Sequence, residues 1–359
     1  MRAICAVVLA AGEGTRMRSP RPKPLHLICG RPMVSFIIDA VHDDAGATLV
    51  VVGHGSTWVE KELRELHGDA LGFVEQREQL GTGHAVTSAL SAISDAVGDA
   101  DADVLIVPGD TPLLRRVTIL DLLARHQESQ AAMTVLSAVV ENPAGYGRVV
   151  RERDGHIKRI VEERDASVEE RQIHEVNTSV MVVRSGLLGA GLRRVGRQNA
   201  QGEYYLTDLV GVLHEAGHAT ATVVIDDPAE VMGINDRAQL AAAEREMRRR
   251  INERWMQRGV TMWDPLHTYV DADVELAPDV SLLPGTVLRG RSRVGAGAVI
   301  GPHAHLEDVT VGEGARLATV SATRANVGAR ANVGAYVVLE PGVVVDEGAH
   351  VAPGTHRVA

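Results

Sequence analysis

Aromatic side chains make up only 3% of this 359-residue chain, so its core cannot rest on rings and must be filled by the aliphatic residues within the 45% hydrophobic content. Cysteine is as scarce: Cys5 and Cys29 are the two present, which excludes a disulfide framework and a cysteine metal cage. Cys5 lies inside the first apolar run and reads as a buried thiol. No apolar run approaches the roughly 20 residues that span a bilayer. The run that begins at Ala3 ends in a glycine loop and not in a cleavage site for a signal peptide. A cytoplasmic protein with no membrane partner is expected. A basic excess is missing too, since the formal net charge is -10, which argues against a general nucleic-acid binder. Any anionic ligand must then meet a local cluster of basic groups.

The length predicts two domains, and the 36 glycines beside so few rings hint at a repetitive β architecture in part of the chain. Up to residue 235, short apolar runs such as AICAVVLA, TLVVVG, DVLIVPGD, AMTVLSAVV and VNTSVMVV read as strands. Between them PMVSFIIDAVHDD, TWVEKELRELHGD, GHAVTSALSAISDA and VTILDLLARHQES carry apolar residues at three- and four-residue spacing. The alternation predicts an α/β domain over 1–235 with a mainly parallel sheet buried on both faces.

Residues 236–260 form the longest helical pattern and read as a connector. Glu244 and Glu246 stand four residues before Arg248 and Arg250, which predicts an ion-paired helix face and not a basic patch. Over 261–359 the pattern changes. Val270, Leu276, Leu282, Leu288, Val294, Ile300 and Leu306 recur at a spacing of six. The register slips by one to Val311 and Leu317, is lost through SATRAN, and resumes at Val327, Val333, Leu339, Val345 and Val351. That is the hexapeptide grammar of a parallel β-helix.

The chemistry is concentrated in LAAGEGTRMRSPRPKPL, which directly follows the first strand. Gly12 and Gly14 begin a G-x-G-x-x-G fingerprint, but Met17 stands where the third glycine belongs, and no Walker lysine follows. What remains is a loop whose backbone can curl around phosphates, with Arg16 and Lys23 supplying charge. Asp110 follows the strand in VLIVPGDTPLL, at the end where open α/β sheets place ligands. Asn235, in VMGINDR, supplies a second oxygen, and an Asp with an Asn suffices for magnesium held mainly by phosphates.

LAAGEGTRM, PKPLH, EQLGTGHA, GDTPLL, AGYGRVVR, IVEERDAS, EVNTSVMV, NAQGEYYLTD and GINDR occur in this order over nearly the whole chain. In this the sequence resembles the bacterial N-acetylglucosamine-1-phosphate uridylyltransferase family, the bifunctional GlmU enzymes. The resemblance implies a Rossmann-like nucleotidyltransferase domain followed by a short left-handed parallel β-helix that trimerises. It implies transfer of a nucleotide from a nucleoside triphosphate to a sugar 1-phosphate with Mg2+. Carried over by residue, Leu9, Ala10, Ala11, Gly12 and Gly14 would line the nucleotide pocket, with Arg16 and Lys23 on the phosphates. Gln76, Gly81 and Thr82 would read the base. Asp110 and Asn235 would hold the metal, and Gly147, Glu162, Asn177, Tyr204 and Thr207 would surround the sugar.

The pattern is broken in two places. Pro108 stands before the GD pair where some members carry an aromatic residue, and VLEPG places Val338 and Glu340 where the family's acetyltransferase half has two arginines. The chain also ends roughly halfway along that family's prism. A member lacking acetyltransferase activity is the expectation, with His303, His305, His350 and His356 as solvated surface histidines. Another sugar or a cyclitol 1-phosphate, with a different base, is the alternative substrate pair. A hexapeptide acyltransferase or a non-catalytic scaffold fits less well, because Arg16, Lys23, Asp110 and Asn235 are all present.

Overall fold

The opening apolar run folds as strand β1, Ala3–Ala10, and its side chains from Ile4 to Val8 are buried on alternating faces. A strand so uniformly apolar has no wet side, and it lies in the middle of its sheet. The computed structural model describes residues 2–98, 101–153 and 155–359. It divides into two units: Met1–His26 with Pro32–Gln239, and Leu27–Arg31 with Leu240–Ala359.

In the first unit β1 is followed by β2 (Ala47–Val52), β3 (Leu71–Glu75), β4 (Ala102–Pro108), β5 (Met133–Val139), β6 (Arg148–Arg151), β7 (Ile157–Val161), β8 (Glu175–Arg184) and β9 (Thr220–Ile225). The main sheet runs β9-β5-β8-β4-β1-β2-β3, and β6 branches from β8 to pair with β7. All pairings along the main sheet are parallel except those of β8, which runs antiparallel to β4 and β5.

Helices α1 (Met33–His42), α2 (Ser56–His67) and α4 (Arg116–Ser129) bury Ile37, Leu63 and Leu122 with one set of strand side chains, Ile4, Ala6 and Val8 among them. Helices α3 (Thr82–Val97), α5 (Ser185–Leu192) and α6 (Asp208–Glu215) bury Val86, Leu188 and Leu209 with the opposite set, which includes Cys5 and Val7. Burial pushes the Cys5 thiol up to about 11, as befits an inert core residue.

Helix α7, Arg237–Gln257, leads into the repeat region. Glu246 takes Arg249 and Arg250 in ion pairs, and these hold its carboxyl at about 2. The other expected pair, Glu244 with Arg248, is not made. Glu244 Oε2 accepts from the Cys29 backbone N–H at 2.7 Å, and Arg248 lies over the Tyr269 ring at 4.3 Å. A buried backbone donor and a ring face outcompete a solvent-exposed ion pair.

The repeats build three parallel ladders of two- and three-residue strands, two with six strands and one with five, which make the faces of a left-handed β-helix. All fourteen aliphatic repeat positions from Val270 to Val351 point inward and are buried. Register is not lost through SATRAN. Ala322 takes the inward position at 2% exposure, and the steps from Leu317 to Ala322 and from Ala322 to Val327 are five residues each. The shortened coil brings the backbone in, so a methyl group fills the space that a leucine fills elsewhere. Gly312 meets the same constraint at a corner, where a Cβ would lie 2.4 Å from the Ala329 backbone nitrogen of the next coil. Among the described residues no helix is long and apolar enough to cross a membrane.

Ala322→Leu would overpack the short coil and is expected to cost about 1–3 kcal/mol, read as a lower midpoint in chemical denaturation. An unchanged midpoint would show that the five-residue steps do not constrain the interior.

Candidate active site

Strands β1 and β4 lie side by side with Leu9 opposite Pro108, and the Gly109 N–H donates to the Leu9 carbonyl at 2.8 Å. The loops that follow these strands therefore leave the same edge of the sheet, where parallel α/β sheets bind ligands. After β1 the chain turns through Gly14, whose φ of 64° is left-handed. A Cβ there would also sit 2.6 Å from Lys23 Cβ, so glycine is required both for the turn and for the close passage of Lys23. Two short 3-10 turns, Thr15–Met17 and Lys23–Leu25, complete the segment.

Lys23 Nζ then donates to Asp110 Oδ2 at 2.5 Å and to Asn235 Oδ1 at 2.9 Å. The Asn235 segment is held in place by its own backbone, with the Ile234 N–H donating to the Asp110 carbonyl at 2.9 Å. Arg237 secures the other side: its Nε donates to the Met17 carbonyl at 3.2 Å and its Nη1 lies 3.4 Å from His26 Nδ1. Burial, followed by the charges of Arg237 and Arg21, lowers the pKa of His26, so it can accept from Arg237 as a neutral ring.

Leu9, Ala10, Ala11, Gly12, Lys23, Gln76, Gly81, Thr82 and Asp110 line one cleft of about 570 Å³. Arg16 is on the same loop but exposed, outside that lining. Gln76 follows β3 and is buried; its Nε2 donates to the Gly81 carbonyl at 3.1 Å. Asn235 reaches the cleft through Lys23. The cleft also takes residues that spacing had not singled out, including Glu13, Gln79, Ser179 and Glu203. They flank the motif positions, and the motifs themselves were the available signal.

Four of the five residues expected around a sugar are linked. The Asn177 N–H donates to the Gly147 carbonyl at 2.8 Å, and Thr207 Oγ1 donates to Glu162 Oε1 at 2.9 Å. A Cβ on Gly147 would stand 3.3 Å from Glu162 Oε2, which ties the two pairs together. Asn177 sits at an irregularity in β8, where its Oδ1 accepts from the Ser179 N–H at 3.1 Å, and Ser179 lines the cleft. Burial raises the Tyr146 phenol, and the charge of Asp110 adds to the shift. Tyr204 is at a different place: its backbone carbonyl accepts from the Gly83 N–H at 2.8 Å and its ring stacks 6.4 Å from the ring of His84.

Asp110 and Asn235 fit a hard cation. Their side-chain oxygens already share one positive charge, the Lys23 ammonium, and both are the oxygen donors magnesium prefers. Among the described residues no group of three or more His, Cys, Asp or Glu could hold a metal alone. A divalent ion there would complete its shell with ligand oxygens and water.

Burial raises the Glu162 pKa, with Asp208, Asp165 and Glu203 adding to the shift and the Thr207 hydrogen bond opposing it. Its folded pKa lies above its unfolded one, so its contribution to stability is full at low pH and lost as pH rises through the folded value. Glu162→Gln removes that loss. Its melting temperature should gain on the wild type as pH rises through and above the ordinary carboxylate range, with no gain below it; a pH-independent difference would contradict the burial argument.

The profile of the MobA-like NTP transferase domain matches residues 6–175. The bifunctional protein GlmU of Caldanaerobacter subterraneus subsp. tengcongensis is 42% identical over 330 residues, 91% of this chain and 70% of that protein. Those of Halalkalibacterium halodurans and Brevibacillus brevis are 44% and 45% identical, over 86% and 88% of this chain and 66% and 67% of their own lengths. The chain thus spans about two thirds of the length of the relatives it matches.

Proposed function

The chain belongs to the GlmU family and is a nucleotidyltransferase, and from that premise we propose that it joins UTP to N-acetylglucosamine 1-phosphate and releases pyrophosphate. The observation that carries this reading is the convergence of Lys23, Asp110 and Asn235 beside the Gly12 loop in one cleft. In the reaction a phosphate oxygen of the sugar 1-phosphate attacks the α-phosphorus of UTP in line. The bond from that phosphorus to the β-phosphate oxygen breaks, and pyrophosphate carries the electron pair away.

The attacking oxygen is already ionised, so no general base is needed, and the work is positioning and charge neutralisation. Lys23 meets the phosphates as a point charge on a mobile stem, and Arg16, exposed on the same loop, is free to fork onto them. Gly12 lets the backbone approach the phosphates, while Gln76, Gly81 and Thr82 face the base. Gly147, Glu162, Asn177 and Thr207 hold the sugar through their linked hydrogen bonds, while Tyr204 backs the base-reading turn. Asp110 and Asn235 are the ligands we assign to Mg2+, which when bound neutralises the charge that builds on phosphate oxygens.

We assign no acetyl transfer to the second unit. Glu340 is engaged with His356 at 3.1 Å, and with Val338 it leaves an aliphatic and an anionic group at the positions where the resemblance expects arginines. Trp263, Leu266 and Tyr336 are exposed apolar side chains on the β-helix unit, which supports a homotrimer built through it. The protein is read as cytoplasmic, where its phosphorylated substrates are.

Pyrophosphate release should be highest with UTP and N-acetylglucosamine 1-phosphate in a matrix of nucleoside triphosphates against sugar and cyclitol 1-phosphates, and no turnover anywhere in that matrix would refute the enzyme assignment. Asp110→Ala should lose about a hundredfold or more in kcat while its melting temperature stays near that of the wild type. Retained activity in that variant would remove Asp110 from the metal site. Sedimentation should give three times the chain mass, and a monomer would end the trimer assignment.

A further inference from the structure

A glutamine at a ligand site is ambiguous, because its terminal amide can present either two N–H donors or a carbonyl acceptor. Gln76 is not ambiguous here. Its Nε2 lies 3.1 Å from the Gly81 carbonyl oxygen and 3.1 Å from His84 Nδ1. The Gly81 carbonyl can only accept, so the nitrogen end of the amide must face it. The second N–H then points at His84 Nδ1, which must accept and therefore carries its ring proton on Nε2. Both donors of the amide are used within the protein. Among the described residues Oε1 takes no donor, nor is it sealed from solvent, and Gln76 lines the cleft.

His84 is itself held in position. It lies in the first turn of α3, its ring stacks on that of Tyr204 at an interplanar angle of 27°, and the Tyr204 backbone bonds to Leu80 and Gly83 at 2.8 Å. A Cβ at Gly81 or Gly83 would come within 2.7 or 2.9 Å of the Tyr204 carbonyl, so only glycine lets the turn pack this closely on that backbone. Turning the amide over would set two carbonyl oxygens face to face and leave His84 Nδ1 without its donor.

We propose that His84 is a positioning residue for base specificity: it fixes the Gln76 amide so that the site offers a nucleotide an acceptor and selects bases with a ring N–H at that edge. Uracil and thymine at N3, and guanine at N1, present such a donor. Cytosine N3 and adenine N1 present a lone pair to a lone pair and are rejected. The proposal rests on the reading of this cleft as a nucleotide site.

The test compares UTP with CTP, which have the same ring size, in equilibrium binding and in steady-state turnover by the full chain. The wild type should favour UTP by about a hundredfold or more, since a bound base covers the acceptor and cytosine leaves it unpaired there. His84→Leu removes one of the two bonds that fix the amide, and the UTP-to-CTP ratio should fall about five- to tenfold. The change should appear in KM, with kcat for UTP within about twofold.

His84→Asn, whose side-chain oxygen can take the place of Nδ1, should restore the ratio, which a merely structural role would not explain. If His84→Leu does not fold, His84→Ala is measured in its place. Equal binding of UTP and CTP by the wild type, or an unaltered ratio in the variant, overturns the proposal. UTP selected over CTP in binding, with no turnover of any sugar 1-phosphate, supports the base reading and sinks the transferase assignment. Turnover without discrimination between the bases does the reverse.

Discussion

The Lys23 ammonium, held between Asp110 and Asn235, is the contact on which the arrangement of the cleft depends. The three groups come from segments more than eighty residues apart in sequence, each delivered by a different part of the first unit. Lys23 arrives on the loop after β1, Asp110 on the loop after β4, and Asn235 on the segment that leads into α7. With both side chains largely shielded from water, the pair is screened less than a surface ion pair. Removing any one of the three takes from the others a charge or a hydrogen bond that they have in this arrangement.

The sheet makes this meeting possible. Parallel pairing of β1 with β2 and β4 aligns their C-terminal ends, and the loops that bear Gly12 and Asp110 emerge together. The reversed strand β8 is as necessary as the parallel ones. Because it runs the other way, its early residues Asn177 and Ser179 come to that same edge while its later residues extend the core beside β4 and β5. The irregularity at Asn177–Met181 gives Ser179 its left-handed φ of 62° and turns the strand toward the cleft. One strand thus joins the residues around Glu162 to those around Lys23.

Much of this was legible in the residues. Apolar runs such as Ala3–Ala10 bury both faces, and no helix or exposed strand answers that description. The six-residue spacing reported an inward row directly, because each coil repeats the same geometry. Elsewhere the sequence was silent for physical reasons. Ala322 is the inward residue between two five-residue steps, and alanine carries no periodic signal of its own. Helix spacing pointed to Glu244 with Arg248, but spacing knows nothing of the Cys29 N–H or the Tyr269 ring that claim them instead. The state of the Gln76 amide was beyond reach for the same reason, since it is set by a carbonyl and an imidazole five and eight residues further on.

An acidic chain that handles anions must solve an electrostatic problem, and the cleft states it plainly. Its charged lining consists of Glu13, Asp110 and Glu203 against a single ammonium, Lys23, which is already paired. A bare triphosphate would meet more negative charge than positive in that lining, and Arg16, exposed on the same loop, lies outside it. Glycine backbone N–H groups lessen the repulsion without removing it. The arithmetic favours an anion that brings its own counter-charge, which is how magnesium travels with nucleoside triphosphates. On this view Asp110 does not oppose phosphate binding. Held by Lys23, it would be the anionic partner of the cation–phosphate complex proposed for this cleft.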